Sequence, residues 1–456
     1  MSSSLTRAPV MTMKENYMLY DKFKAKNADA NILSKIDILG SFDFTTCLIS
    51  LDSINSKDLK VLSDKRYKDP KINLKYRKIL PLAVHEYTHF IDSTSTIWGF
   101  NYLIMMNNAY LSNDRLNKDE KLFFQAKKFH NHIARIKYPK YYTTVGKVDT
   151  KQWAAYPTIG MLFDNDGQVT DESVMFFRFT SLSKEEIARS PISAVSILEA
   201  SAMANEVLTE IGLLNQLSKE DFAIEQVFYL KKIMSLIYNK ELTEYSACVH
   251  MLANQQQCKD IVQAFLLVSL ITRVVLNCTE DVFDKIIQND QLTNTFEFSK
   301  EEPFFKSLHN GLKHRNIGVL YYIIVSGLPE ESYLSQETAI QGIQESINKL
   351  GIDIDFIKST SNHYVEKNIE KLISSSISSI AEIADSAKSN FDIIDIMSPI
   401  LELDRLNIPK VFLGDTTETL IFKNQDNKMA EFDLDICFNE LSEGESWVHR
   451  FSEGCV

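Results

Sequence analysis

His85, Glu86 and His89 stand in the order H-E-x-x-H within Lys78-Ile-Leu-Pro-Leu-Ala-Val-His-Glu-Tyr-Thr-His-Phe-Ile-Asp92. Residues four apart on an α-helix share a face about one turn apart, so two imidazoles at this spacing can reach one metal ion from the same side. That is the ligand spacing of a zinc site, and it puts the carboxylate of Glu86 beside the ion, where it can take a proton from a metal-polarised water. With nine histidines in 456 residues, an accidental match is on the order of one in a hundred.

The elements that must position these groups are legible around them. At about 100° per residue, Ala83, Val84, Tyr87, Phe90 and Ile91 form one apolar arc while His85, His89 and Asp92 cluster opposite. The pattern predicts a helix that packs with one face and presents the histidines with the other, Pro81 suiting its first turn. A second helix is expected from Pro191 through Glu206 to about Leu214, Ala-rich and close-packing. On it Glu199 lies within about 60° of Ile192, Val195, Ala202 and Met203, a carboxylate on a largely apolar face. Such a group needs a cation, and a metal ion would serve. Glu206 and Glu210 share that face, which also admits a plain acidic stripe.

The whole chain bears on what kind of molecule this is. At 456 residues, 45% of them apolar, it can bury a large core in two or three packed units. A net charge of −12 argues against a nucleic-acid or anionic-membrane partner for the molecule as a whole. The charge is uneven: Lys57 to Lys78 holds nine Lys/Arg against three Asp, whereas the segment from Leu413 onward is mainly acidic. The six scattered cysteines form no C-x-x-C pair and read as reduced thiols. The opening residues lack the apolar stretch of a secretory leader, so a cytoplasmic location is expected. The apolar runs Ile261–Leu276 and Ile317–Leu328 are too short to span a bilayer and read as buried helices.

In chain order, residues 1 to about 30 read as an irregular arm. Ser41 to Leu51 suggests one or two strands, followed by a basic loop over 57–78 whose Tyr67 and Tyr76 would suit a nucleic-acid patch. Helices are expected at Ile97–Leu111 and Glu120–Tyr138, joined by a polar turn at 112–119. His130 and His132, two apart on the second, point in different directions and make poor co-ligands. Strands are expected at Thr158–Phe163 and Ser173–Phe179, with Asp166-Gly167 as a hairpin signal, in an insert that could wall a cleft or offer an edge for a peptide. Helices follow at 221–238, 242–254, 259–277, 280–288, 303–313, 331–349 and 363–386. Strands return at Glu418–Phe422 and Ala430–Phe438.

With His85-Glu-x-x-His89 and Glu199 in Leu198-Glu-Ala-Ser-Ala202, the sequence resembles the gluzincin type of zinc metallopeptidase, whose H-E-x-x-H is followed by a glutamate ligand on another helix. The resemblance rests on these two stretches. It implies His85, His89 and Glu199 as Zn²⁺ ligands and Glu86 as the catalytic glutamate. It also implies an α+β, predominantly α-helical fold: a metallopeptidase-like core over 1–215, with a small mixed sheet beside the H-E-x-x-H helix and an insert at 93–185. The resemblance says nothing specific about residues 215–456, where the pattern of the chain itself predicts a helical domain over 216–405 and a strand-rich acidic segment over 406–456. Thermolysin-like members carry an Asp four residues after the glutamate ligand to orient a histidine. Here that position is Met203, leaving Asp92 or Glu206 as candidates for the supporting role. The metzincin pattern fails for lack of its Gly and third His, and the deformylase-like echo Glu453-Gly-Cys-Val456 stands on the wrong side of the helix in sequence.

The expected activity is peptide-bond hydrolysis, with Tyr156, Tyr245 or His250 available as oxyanion donor. The partners would be a peptide or protein substrate and a possible regulatory protein, with no membrane. A zinc hydrolase of non-peptide bonds, or a helical interaction protein with a degenerate site, are the other readings.

Overall fold

The computed structural model describes residues 21–22 and 39–454, apart from 114–119, 151, 165–166, 290 and 297–298. The expected arm over 1–30 falls almost wholly outside these residues, as do most of the 112–119 turn, Asp166 of the hairpin signal, and the terminal Cys-Val.

The chain is mostly helical, with two small four-stranded sheets. The first is mixed, in the order β1-β2-β7-β8: β1 (Ser41–Asp43) runs antiparallel to β2 (Leu48–Leu51), β2 runs parallel to β7 (Val411–Leu413), and β8 (Glu418–Thr419) closes the far edge. Every residue of β2 and β7 is buried, as expected for a parallel pair covered on both faces. The second sheet is antiparallel, in the order β3 (Thr144–Val145), β6 (Glu186–Pro191), β5 (Val169–Thr180), β4 (Ala154–Phe163). Its β4–β5 hairpin extends the two expected strands, and Gly167 at the turn has φ +75°, open to glycine at no steric cost.

The H-E-x-x-H helix, α1, spans Pro70–Thr94 and packs on β1 and β2. It starts earlier than the sequence pattern suggests, because Asp69 accepts from the Lys71 and Ile72 N–H groups and Pro70 takes the first helical position. Pro81 therefore lies inside the helix rather than at its start, leaving the Arg77 carbonyl without its usual N–H partner. The expected basic loop is a short 3-10 helix, Asp58–Ser63, followed by the first turns of α1. The Tyr76 hydroxyl ties the two together by donating to the Leu62 and Asp64 carbonyls.

Next come α2 (Ile97–Leu111) and α3 (Phe124–Ile136), and then α4, which carries Glu199 and spans Ala194–Leu214. Pro191 does not open α4: it ends β6. The N-cap is Ser193, which forms a reciprocal capping box with Ser196. Around α4 stand α5 (Lys219–Ile237), α6 (Thr243–Gln255) and α7 (Ile261–Leu276). Beyond them lie α8 (Glu280–Asn289), α9 (Pro303–Lys313), α10 (Ile317–Gly327), α11 (Gln336–Lys349), α12 (Ile354–Ile373) and α13 (Ser378–Ile393).

The single helix expected over 363–386 is thus two, broken at 374–377. A second difference is at the C-terminus. The alternation of Ala430–Phe438 suggests a strand, but α14 runs from Leu434 to Gly454. Asp433 supplies its initiating acceptor, binding the Asp435 and Ile436 N–H groups. Leu434, Cys437, Phe438, Leu441 and Val448 then form a buried helical stripe that local alternation over nine residues cannot reveal.

One buried apolar cluster runs from Phe42 to Val448, crossing the expected unit boundaries. Both apolar runs are core helices: α7 is buried from Leu267 to Leu276, and α10 nearly throughout. Among the described residues no single helix is long and apolar enough to cross a membrane; α7 and α8 together pass by length and composition, but they are bent by 97°.

The entry to α4 depends on Gly318 at the start of α10, where a Cβ would stand 2.0 Å from the Ile192 carbonyl oxygen, one residue before the cap. Gly318→Ala should destabilise the fold by about 2 kcal/mol or more through this backbone clash. Ser193→Ala should cost about 1 kcal/mol from the lost cap. Urea unfolding of the two variants checks the order.

Candidate metal centre

Helices α1 and α4 lie side by side and antiparallel, and their contacts form a ladder. Asn73 Nδ2 donates to the Leu213 carbonyl (2.8 Å), Arg77 binds Glu210, His85 binds Glu206, and His89 faces Glu199. Each step toward the C-terminus of α1 meets a step toward the N-terminus of α4. Two rungs are structural: Arg77 also holds Glu225 of α5 at 2.7 Å, so three elements share one buried guanidinium. The last two rungs form the site.

At that end three potential ligand atoms converge. His85 Nε2 and His89 Nε2 are 3.2 Å apart, and Glu199 Oε2 lies 3.5 Å from the first and 3.6 Å from the second. A tetrahedral ion with ligands at about 2.0–2.1 Å has ligand–ligand edges of roughly 3.3–3.4 Å, so the triangle is of the size such an ion needs. Glu199 is 1% exposed, and its Oε2 has no hydrogen-bond partner. A buried carboxylate oxygen directed at two imidazole nitrogens is costly unless a cation completes it. Among the described residues this is the one group of three or more His, Cys, Asp or Glu gathered closely enough to hold a metal ion.

Glu206 contacts the first of the two imidazoles. Its Oε2 lies 3.0 Å from His85 Nδ1; with the proton on Nδ1 donated to this carboxylate, the Nε2 lone pair is left for a metal. The acidic stripe is therefore not simply solvated: Glu206 serves His85 and Glu210 serves Arg77. Asp92 is placed differently. It is buried near Ser201 and Arg273, and burial pushes its carboxyl up to about 7, with Ser201 and Arg273 pulling the other way. Met203 fills the position where thermolysin-like chains carry an Asp, and it is core. His89 Nδ1 is buried without a partner, its ring bounded by Phe42 and Phe44.

Burial disfavours charge on His85, but Glu199 and Glu206 outweigh it and hold its imidazolium well above the ordinary range. Burial keeps His89 below that range despite Glu199. Glu199 itself is pushed up by burial and brought below its usual value by the two histidines. Glu86 is buried on the same helix. Desolvation raises its carboxyl to about 8; His85 opposes the rise, while Glu199, Glu206 and Asp52 add to it.

Sequence reasoning misses the groups that frame Glu86. A Cβ on Gly40 would lie 3.0 Å from both Glu86 Oε1 and the Ser50 carbonyl oxygen, so a side chain at the residue entering β1 would crowd Glu86. The available signal was a lone Gly ahead of a strand, which often marks close backbone approach. The apolar side of α1 is buried as expected, but the histidine side does not face solvent: α4 covers it, leaving His85 16% exposed and His89 2%.

The remaining candidates lie apart. His132 is partly buried beside Tyr102, where desolvation, with Arg135 adding to it, lowers its pKa to about 4, and His130 meets His449 edge to face. His250 is committed to the Ile237 carbonyl and lines a cavity of about 530 Å³ between α5, α6 and the start of α7. Tyr156 is exposed on β4 and Tyr245 is buried on α6.

Two outcomes follow. Glu206→Gln should weaken metal binding about 10- to 100-fold while the fold is kept, which competition against a chromophoric chelator measures. In metal-free protein Glu86 binds its proton more tightly folded than unfolded, so its stabilising contribution is complete below the unfolded value near 4.5 and is lost as pH rises towards 8. The melting temperature of chelated wild type should therefore fall relative to Glu86→Gln between about pH 5 and 8. Compared with protein-family models, curated proteins and solved structures, the chain matches none, so its chemistry is read from the geometry of this centre.

Proposed function

We propose that the chain is a zinc-dependent peptidase of gluzincin type. The observation that carries this reading is the triangle of His85 Nε2, His89 Nε2 and Glu199 Oε2, with edges of 3.2–3.6 Å, in which the buried carboxylate oxygen has no hydrogen-bond partner and Glu86 stands one residue from His85. Two nitrogens and one oxygen in a small triangle are a donor set suited to Zn²⁺ with a fourth position left for substrate. When bound, the ion supplies Lewis acidity towards a water and a scissile carbonyl.

The protein's own groups would do the rest. Glu86 would accept the proton of the attacking water and deliver it to the leaving amine once a bound cation offsets the burial that otherwise raises its carboxyl to about 8. Glu206 holds His85 in the metal-directed tautomer. The Arg77 rung sets the spacing of the two helices and so the distance from Glu199 to the histidines. Gly40 leaves the Glu86 carboxylate uncrowded at the entry to β1.

Incubating the full chain with a peptide library, with and without added Zn²⁺, tests the reading. Cleavage should require the metal and fall by about 10³-fold or more in Glu86→Gln, while bound zinc stays at one equivalent. If Glu86→Gln cleaves like wild type, the assigned base is wrong. A wild type that holds stoichiometric zinc yet cleaves nothing favours hydrolysis of another bond.

A further inference from the structure

The N-terminal half of α1 carries Lys71, Lys75, Arg77 and Lys78 and no carboxylate before Glu86. Arg77 is spent on Glu210 and Glu225. The three lysines are exposed, and among the described residues none has a carboxylate in ion-pair contact. The acids beside them in sequence and along the α1–α4 seam are already engaged: Asp69 by the Lys71 and Ile72 N–H groups at the helix cap, Glu206 by His85, Glu210 and Glu225 by Arg77, and Asp64, within electrostatic reach of Lys75, by Arg66. Lysines in the first turns of a helix oppose its dipole, so they do not serve the helix itself.

Their direction is informative. At about 100° per residue, positions 71, 78 and 85 differ by only about 20° from one to the next, so the lysine row points the same way as His85. Lys75 is displaced toward the side of Glu86, away from the Arg77 side that meets α4. Lys71, Lys78 and His85 are spaced by about 10 Å along the axis, with half-exposed Leu74 between the lysines.

We infer that this row is a docking surface for an acidic segment of the peptide substrate, leading it to the metal centre; the inference rests on the peptidase reading. An extended peptide advances about 3.3 Å per residue, so carboxylates bound by Lys78 and Lys71 lie roughly three to six residues from the reacting carbonyl. The charge distribution selects a short segment over a large polyanion. The segment Lys57–Lys78 carries +6 while the whole chain carries −12, so the remainder carries −18. A duplex or a lipid surface extends over several Debye lengths of about 8–10 Å and meets that negative remainder, whereas a few acidic residues meet only the row.

The test measures binding apart from cleavage. A labelled twelve-residue peptide carrying four Glu, and its Gln counterpart, are titrated by fluorescence anisotropy into full-length protein bearing Glu86→Gln, alone and combined with Lys71→Glu, Lys75→Glu and Lys78→Glu. The Glu peptide should bind about tenfold or more tighter than the Gln peptide, an advantage that salt weakens and the charge reversal abolishes. Equal affinity for the two peptides, or a preference that survives the charge reversal, overturns the inference. So does tighter, row-dependent binding of phosphatidylglycerol vesicles or duplex DNA. Row-dependent binding of the Glu peptide without cleavage by zinc-loaded wild type retains the surface and removes the peptidase reading, so the two failures are distinguishable.

Discussion

The structure turns on a juxtaposition that would be unfavourable alone: two imidazole nitrogens and a carboxylate oxygen, within 3.6 Å of one another, inside the core. Electron pairs gathered at that distance in a poorly solvating interior repel unless a cation or shared protons lie among them. The rest of the two-helix pair holds them there. The Asn73, Arg77 and His85 contacts lock α1 and α4 in register, and α6 and α7 back α4 from behind. Without a metal, a proton on His85 held by Glu199 and Glu206 offsets that repulsion, and a bound ion would take its place. This is how a fold couples metal affinity to its own stability.

The surroundings grade from dry to wet along α1. His89, bounded by Phe42 and Phe44, is fully enclosed; His85 is partly open; Glu206 is nearly a third exposed; and beyond them the lysine row faces solvent. From the wet end of α1 inward stand the lysines, then His85, then the enclosed His89 and Glu199, with which His85 forms the group that could hold a metal ion. The same gradient explains why Glu86 is hard to ionise without a metal: burial removes water from its carboxylate, and three further acids lie within electrostatic reach.

The site was more legible in the sequence than its supports. His85, Glu86 and His89 are four helical positions apart at most, so local geometry alone groups them. Glu199 was identified from a long-range physical cost, a carboxylate on an apolar helix face, and the structure brings it to the two histidines across more than a hundred residues. The supporting residues are not local. Arg77 looked like one of nine basic residues in a solvated run until α4 and α5 supplied its two carboxylates. The start of α1 was missed because Pro81 resembles a helix opener, whereas Asp69 and Pro70 already perform that role. The end of the chain was misread because short alternation at 430–438 mimics a strand, while the buried stripe that makes α14 a helix extends to Ser452. β2 and β7 pair across some 360 residues, a contact no local pattern encodes.

The central claim is that His85, His89 and Glu199 together form one metal-binding centre. X-ray absorption at the zinc edge, on full-length protein with one equivalent of Zn²⁺, tests it most directly when the wild type is compared with Glu199→Ala. The expected spectrum is that of a four-coordinate ion with two imidazoles and light-atom ligands at about 2.0–2.1 Å, one of which changes in the variant as affinity drops. A six-coordinate, all-oxygen environment, or a spectrum and affinity unchanged by Glu199→Ala, would contradict it.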